Sequence, residues 1–598
     1  MADILKAYFA ISPSSSRTEV SDVFNKIITA SPFTFTPASR VELIQAIIQD
    51  LKNAGSKGKL THKDAAQALL SIKTLGKDPA GSRHLASSSN LSTLLGFATT
   101  FRDKDDPEAA SEALRTIANA LLLIEEARST FISKEVNGGE TCILMLEKTT
   151  SPDYIFILSR ILFLSTASGP AYIETIVDGK YHGRTIVDIL GSKLDMMTNA
   201  LRGSTPTAKE ALTDLLKFLF NILLHYPKIT DSEPQNADMS ADDKVIGDFW
   251  SYKLDPMLPP LLRVFRDLPP MSPIPIAAPL THVIHSLITI PVSPSLKPIW
   301  LGQPITSSGR NSLCNTPKSK SSESAPGSRS DSPTRMEKSP VSRSSTIDRA
   351  LSVIAAAGRS LSRTSSPTSP TVAVEIDVLQ RAYDLLEQGF SRYFPGDVDP
   401  DSLEVRQHHK EESALDTLDD VLSPLIVLIT RLCIADEGSR VRLRQWIIPD
   451  DLDRSSPLEQ RSDILGKCLR LLASVYHPRL KDAVGEMLYA TCDHNATTLC
   501  ALVGYGNVAG FLFNKGVLNA PPSLNSSSDH PVDSQDLDPI TGIKAKPKEN
   551  LPEMTDEEKE REMEKLFVLF DRLEKTGNLP PDQNPIRKAI QQQGQLGK

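Results

Sequence analysis

The stretch Ala211-Leu212-Thr213-Asp214-Leu215-Leu216-Lys217-Phe218-Leu219-Phe220-Asn221-Ile222-Leu223-Leu224 decides the fold class. Leucines 212, 215, 216, 219 and 223 recur with the 3.6-residue period of an amphipathic helix, not the alternation of a strand. Thr205-Pro206 ahead of them reads as a helix start. This run is the chain's longest apolar candidate, and Thr213, Asp214, Lys217 and Asn221 interrupt it. A bilayer-crossing helix takes some eighteen or more apolar residues, so the run predicts a packed helix and not a span.

The same period recurs on either side. Leu114, Ile117, Ala118, Leu121 and Leu122 form one stripe, with Asp106-Pro107 placed as N-cap and first-turn proline. Ile157, Arg160, Ile161 and Leu164 lie on another. These helices are roughly 40 to 55 residues apart, the period of armadillo or HEAT units. No motif recurs letter by letter, but β alternation is nearly absent, and the expectation is an all-α, armadillo/HEAT-like solenoid. A solenoid grows by stacking, so 598 residues need not divide into several globular cores.

Composition divides the chain. Helical repeats are expected over 1–301 and again over 372–519. Between them, 302–371 is dominated by Ser, Pro, Arg and Lys, cannot bury enough apolar surface to offset chain entropy, and is expected to be a disordered insertion. Its Ser332-Pro333, Ser339-Pro340 and Ser366-Pro367 suit proline-directed kinases, although serine-rich tracts produce such matches by chance. In the second repeat block, a helix through Leu465, Cys468, Leu469, Leu472 and Tyr476 is expected to stop at His477-Pro478. The next carries Leu480, Ala483, Val484, Met487 and Leu488, and Met487 to Val503 reads as helical. Residues 520–553 form an acidic linker, 554–577 a helix and 578–598 a disordered tail. That helix opens with a capping box, Thr555 and Glu558, and shows Met563, Leu566, Phe567, Phe570 and Leu573 on one face. It either caps the stack or docks on a partner.

Charge and chemistry narrow the function. A net charge of −8 argues against a general nucleic-acid binder. Six scattered cysteines without a CxxC pair fit reduced thiols, and the opening MADILKAYFAI lacks a secretory pattern, so the expected location is the cytoplasm. Gly504-x-Gly506-x-x-x-Gly510 misses the dinucleotide spacing and follows a helix, so it reads as a tight helix-to-helix turn. His494 lies between Cys492 and Cys500 without any standard zinc spacing. No Walker A, HExxH or GxSxG element occurs; no cofactor, metal or covalent catalysis is expected. Asn119, Arg160 and Asn221 do interrupt apolar helix faces. Such residues either bond a peptide lying in a groove or satisfy neighbouring loop carbonyls.

Leu219-Phe220-Asn221-Ile222, Ser159-Arg160-Ile161-Leu162-Phe163-Leu164, Leu280-Thr281-His282-Val283-Ile284 and Gly504-Tyr505-Gly506-Asn507-Val508-Ala509-Gly510 together resemble the synembryn family. Asp538-Pro539-Ile540-Thr541-Gly542 and the helix from Met554 to Leu573 resemble that family's C-terminal signature. The resemblance implies a folding chaperone and guanine-nucleotide exchange factor for heterotrimeric G-protein α subunits, monomeric and recruited to membranes only through its partner. It implies that the concave repeat surface takes the last helix and terminal carboxylate of the α subunit, while the C-terminal helix of this chain engages the switch II region. By motif, Lys73, Lys77, Asn119 and Arg160 fall at groove positions. Where the family pattern prefers arginine, Lys73 and Lys77 keep the charge but lose the bidentate fork. The family's casein-kinase-type phosphoserines are matched by Ser526 with Asp529. The alternative is another armadillo-type adaptor gripping a peptide, which for a basic peptide would need an acidic groove.

Overall fold

The computed structural model describes residues 2–55, 58–167, 170–230, 250–270, 274–302, 377–412, 417–517 and 537–544, together with residue 561. Outside them lie the insertion beyond Gly302, most of the 520–553 linker, and the C-terminal helix and tail apart from Arg561. Met563, Leu566, Phe567, Phe570, Leu573, Ser332, Ser339, Ser366 and Ser526 are thus among the residues not described.

Helices stack in two rows. In the inner row, Ala65–Leu75 packs on Pro107–Leu123, which packs on Pro152–Ala167, which packs on Ala208–Ile229. The row continues through Leu280–Leu287 and Leu418–Ala435 to Pro478–Thr491. Against it lie Ser88–Asp103, Gly138–Lys148, Ile186–Arg202, Leu258–Asp267, Val378–Tyr393 and Ile464–Leu472. One apolar core extends from Tyr8 to Leu512. This is an all-α repeat solenoid; among the described residues there are two isolated β-bridges and no strand. None of the described helices is long and apolar enough to cross a membrane.

The local chemistry explains the helix ends. Asp106 Oδ1 accepts the Ala109 amide at 3.1 Å and Pro107 opens the first turn, while Ala110, Ala113, Leu114, Ile117 and Leu121 are buried. Each fully buried Leu or Ile contributes about 1.5–3 kcal/mol. The helix read from Thr205-Pro206 begins later, at Ala208, because Ser204 and Thr207 both sit in the left-handed region. The helix through Leu465 ends at Leu472, before Tyr476. Asp401 captures the following turn, accepting the Ser474 hydroxyl, the Val475 amide at 2.7 Å and the Tyr476 amide at 3.3 Å. Likewise Met487 to Val503 is two helices, split where Asp493 and His494 take φ of 56° and 55°.

The stack runs on across the insertion. Lys297–Trp300 and Val378–Tyr393, which flank it, both pack on Leu258–Asp267. Arg381 donates to the Leu268 carbonyl, and Lys297 pairs with Asp436 at 3.1 Å.

The two C-terminal motifs meet. Gly504, at φ +84°, turns Ala496–Val503 into Tyr505–Asn514. The Asp538–Gly542 loop covers the start of the second helix: Tyr505 N donates to Pro539 O at 2.9 Å and Gly506 N to Ile540 O at 2.8 Å. Two of the four amides a helix start leaves open are thereby satisfied. Arg454 holds the far side of the loop through Gly542 O at 2.7 Å.

Candidate functional site

Three successive inner helices build one open pocket of ≈ 280 Å³. Ala65–Leu75 brings Lys73, and the turn after it brings Lys77. Pro107–Leu123 adds Arg115, Ala118 and Asn119; Pro152–Ala167 adds Phe156, Ile157 and Arg160. Four residues singled out from sequence, Lys73, Lys77, Asn119 and Arg160, therefore line the same cavity.

Its charges are not equivalent. The Glu112 side chain, 9 % exposed, pairs through Oε2 with Lys73 and through Oε1 with Arg115 Nη1 at 2.9 Å. Arg115 Nη2 also meets Asp153 Oδ1 at 2.7 Å, and Ser111 steadies that carboxylate through Oδ2. Arg160 donates Nε to the buried Asp214 at 2.7 Å, and its guanidinium lies 4.6 Å from the Phe156 ring centroid. Lys217 shares Asp214 at 3.5 Å. By contrast, Lys77 is exposed and has no ion-pair or hydrogen-bond partner for its ammonium among the described residues; nor does the half-buried Asn119 side chain have a hydrogen-bond partner. Four cations line the pocket, and with Lys217 behind them they share three carboxylates, leaving an excess of positive charge beside an apolar wall of Ala118, Phe156 and Ile157. Such a combination has the chemistry to suit an anionic group with an apolar neighbour.

Asn221 is elsewhere. It is 8 % exposed, and its amide donates to the Phe163 carbonyl at 3.2 Å and the Thr166 hydroxyl at 2.9 Å. Of the two readings open for it, contact inside the fold is the one its geometry matches. Arg115 escaped the sequence reading, yet it lies four residues before Asn119, on the same helix face. Asp214 was legible only as a break in an apolar run; it is the counter-ion of Arg160.

Among the described residues no cysteine, serine, threonine or histidine lines this pocket. Burial pushes the Cys142, Cys433 and Cys468 thiols up to about 12 and Cys492 up to about 11, so they remain protonated at neutral pH. His494 packs edge-on to Tyr489, their ring centroids 5.1 Å apart. Among the described residues no group of three potential ligands could hold a metal ion. Farther along the inner row, burial, with Lys217 and His285 adding to it, lowers His282 to about 4, which keeps that imidazole neutral.

The architecture and pocket define the class: an α-helical repeat protein with a basic pocket on its inner row. Within that class the chain belongs to the synembryn family, since the family model described as guanine nucleotide exchange factor synembryn matches residues 68–594. It is similar to Chaperone Ric-8A of Xenopus laevis, 26% identical over 228 residues, covering 35% of this chain and 42% of that protein. Chaperone Ric-8 of Drosophila melanogaster is 26% identical over 190 residues, covering 30% and 33%. Chaperone Ric-8A of Gallus gallus is 26% identical over 190 residues, covering 28% and 35%. The chain thus spans less than half the length of these relatives.

Proposed function

We infer that this protein is a guanine-nucleotide exchange factor and folding chaperone for heterotrimeric G-protein α subunits. The family description and the relatives' names support the two roles. The observation that carries the mechanism is the pocket: Lys77 and Asn119 stand unpartnered among the described residues, beside the wall of Ala118, Phe156 and Ile157. A helix ending in an apolar residue and a free carboxylate satisfies both halves. The last helix of the α subunit lies along the inner row with its carboxylate in the pocket that Lys73, Lys77, Asn119 and Arg160 line.

The action is a population shift. Protein that binds the open, nucleotide-free α subunit better than the GDP-bound form draws the equilibrium toward release. Moving that equilibrium from 1:99 to 99:1 takes about 10⁴-fold preferential binding, roughly 5.5 kcal/mol. No bond is made or broken. Holding the same open state away from aggregation is what a folding chaperone does, so one surface serves both roles. The apolar face Met563, Leu566, Phe567, Phe570 and Leu573, read from sequence as one side of a helix, supplies a second hold on the partner. The protein works as a cytoplasmic monomer that meets membranes through its α subunit.

The test is GTP-analogue uptake by a GDP-loaded α subunit, with and without this protein, beside an α subunit lacking its last dozen or so residues. Acceleration that disappears on truncation is the expected result. Acceleration that survives truncation moves the main contact out of the pocket, and neither binding nor acceleration on any α subunit refutes the reading.

A further inference from the structure

The pocket's two lysines do different work. Their place in the motif Lys73-Thr74-Leu75-Gly76-Lys77 assigns both to the partner's carboxylate, yet the geometry separates them. Lys73 is 17% exposed and bound to Glu112, whose own side chain is 9% exposed. Glu112 also takes Arg115, and Asp153 takes the other end of that guanidinium. An ammonium held by a buried carboxylate cannot turn to a ligand without stripping Oε2 of its cation and leaving Arg115 as the remaining partner of that carboxylate, which is costlier than moving an exposed charge in water. Lys77 carries no such restraint. It stands in the turn after Gly76, exposed, lining the same cavity as the unpartnered Asn119 side chain. Arg160 contributes from the third helix: its Nε is engaged by Asp214, and Phe156 lies beneath the guanidinium.

We propose that Glu112 decides which cation of this pocket reads a bound carboxylate: it withdraws Lys73 and Arg115 and leaves the recognition to Lys77, with Asn119 and Arg160 beside it. Glu112 and Lys73 are positioning residues, and Lys77 is the specificity-determining one. This assignment rests on the tail-in-pocket reading above and sharpens it. Replacement of the family's arginine by lysine then has unequal consequences at the two positions. At 73 the residue contacts Glu112 and not the ligand, so a bidentate fork would be of no use to the partner. At 77 a point charge on a flexible stem sets how firmly the carboxylate is held.

The probe is a peptide of the α subunit's last helix, prepared as the free acid and as the terminal amide, its affinity for the full-length protein measured by fluorescence anisotropy. The ratio of the two affinities reports carboxylate recognition and is insensitive to a general loss of binding surface. The wild-type protein should prefer the acid by about tenfold or more, as a charge-assisted hydrogen bond implies. Lys77→Met should bring the ratio close to one. The double variant Lys73→Met with Glu112→Gln removes the ion pair together and preserves its volume, while Asp153 still compensates Arg115; it should keep the wild-type ratio within about twofold. Glu112→Gln alone frees a cation and should raise affinity for the acid, with a steeper fall as salt is added. Should that single variant not fold, the double variant and Lys77→Met still decide the matter. If the double variant loses the ratio as fully as Lys77→Met does, Lys73 reads the ligand and the assignment is overturned. If the wild-type protein binds the two peptides equally while still accelerating exchange, the carboxylate is not read in this pocket, and the assignment falls without the exchange function.

Discussion

At the scale of single residues, the same residue type serves opposite ends. Asn119 and Asn221 both break apolar stripes, but one faces an open pocket and the other bonds Phe163 and Thr166 inside the fold. Asn221→Ala is therefore expected to lower stability by about 1–3 kcal/mol, the cost of stranding a buried polar partner. It should leave binding of an α-subunit tail peptide unchanged. Chemical denaturation and peptide titration of the same variant check the two halves, and a weakened tail with unaltered stability would return Asn221 to the groove. Sequence showed that these asparagines were unusual, not which way each points, because the deciding partners come from other helices. Arg160 shows the same limit: its Asp214 partner is 54 positions away and looked only like an interruption. A second residue-scale consequence concerns acid. Burial raises the Asp401 carboxyl, but the Ser474 hydroxyl, the Val475 and Tyr476 amides and nearby His477 outweigh it and hold the group below the usual carboxylate range. A depressed folded pKa contributes stability that is present above the unfolded value of about 3.9 and is lost as pH falls through the folded one. Asp401→Asn should accordingly destabilise the protein at neutral pH, while its melting temperature falls less than that of the wild-type protein as pH drops from about 5 to below 4. Parallel pH profiles for the two proteins would remove Asp401 from that role.

At the scale of elements, stripes and caps were legible and their joints were not. The buried positions of Pro107–Leu123 follow the period read from sequence, and Asp106 caps it with Pro107 behind. Those signals lie within one turn of the helix they start, so a single chain segment carries them. The joint at Gly504 is half legible. A glycine between two helices announces a positive φ, but nothing local says that Asp538–Gly542 returns to seal it. A β-carbon at Gly504 would stand 2.5 Å from the Thr541 carbonyl carbon and 2.6 Å from the Gly542 nitrogen, in a backbone region that L residues avoid. Gly504→Ala should consequently cost about 1–3 kcal/mol and displace the loop. Amide exchange at Tyr505 and Gly506, whose protons are bonded to Pro539 and Ile540, reads this directly. Faster exchange there with the rest of the stack unchanged is the expected pattern; unchanged exchange would mean that the two helices move apart instead. The loop also fixes where the chain restarts toward the 554–577 segment, so its release should slacken any second hold on a partner by lowering effective concentration.

At the scale of the whole molecule, the sequence's sharpest composition change does not interrupt the stack. Residues on both sides of the Ser- and Pro-rich stretch share one core, from Trp300, whose indole donates to Pro291 O, to Val378 and Leu379. Both flanking helices rest on Leu258–Asp267, and the Arg381 contact with Leu268 and the Lys297 pair with Asp436 tie the two halves together. Closing a shorter connection between the two described ends loses less entropy, by about 0.6 kcal/mol for each halving of its length. Deletion of residues 304–370 should hence leave the stack as stable as before or more so, by roughly 1–2 kcal/mol. The pocket is lined by Lys73, Lys77, Asn119 and Arg160, and none of its helices flanks that junction, so nucleotide release from a GDP-loaded α subunit should proceed at nearly the wild-type rate. Thermal melting and GTP-analogue uptake on the deleted protein separate the possibilities. A lowered melting temperature would show that the insertion supports the fold, whereas intact stability with a large loss of exchange would make it part of the partner's binding surface.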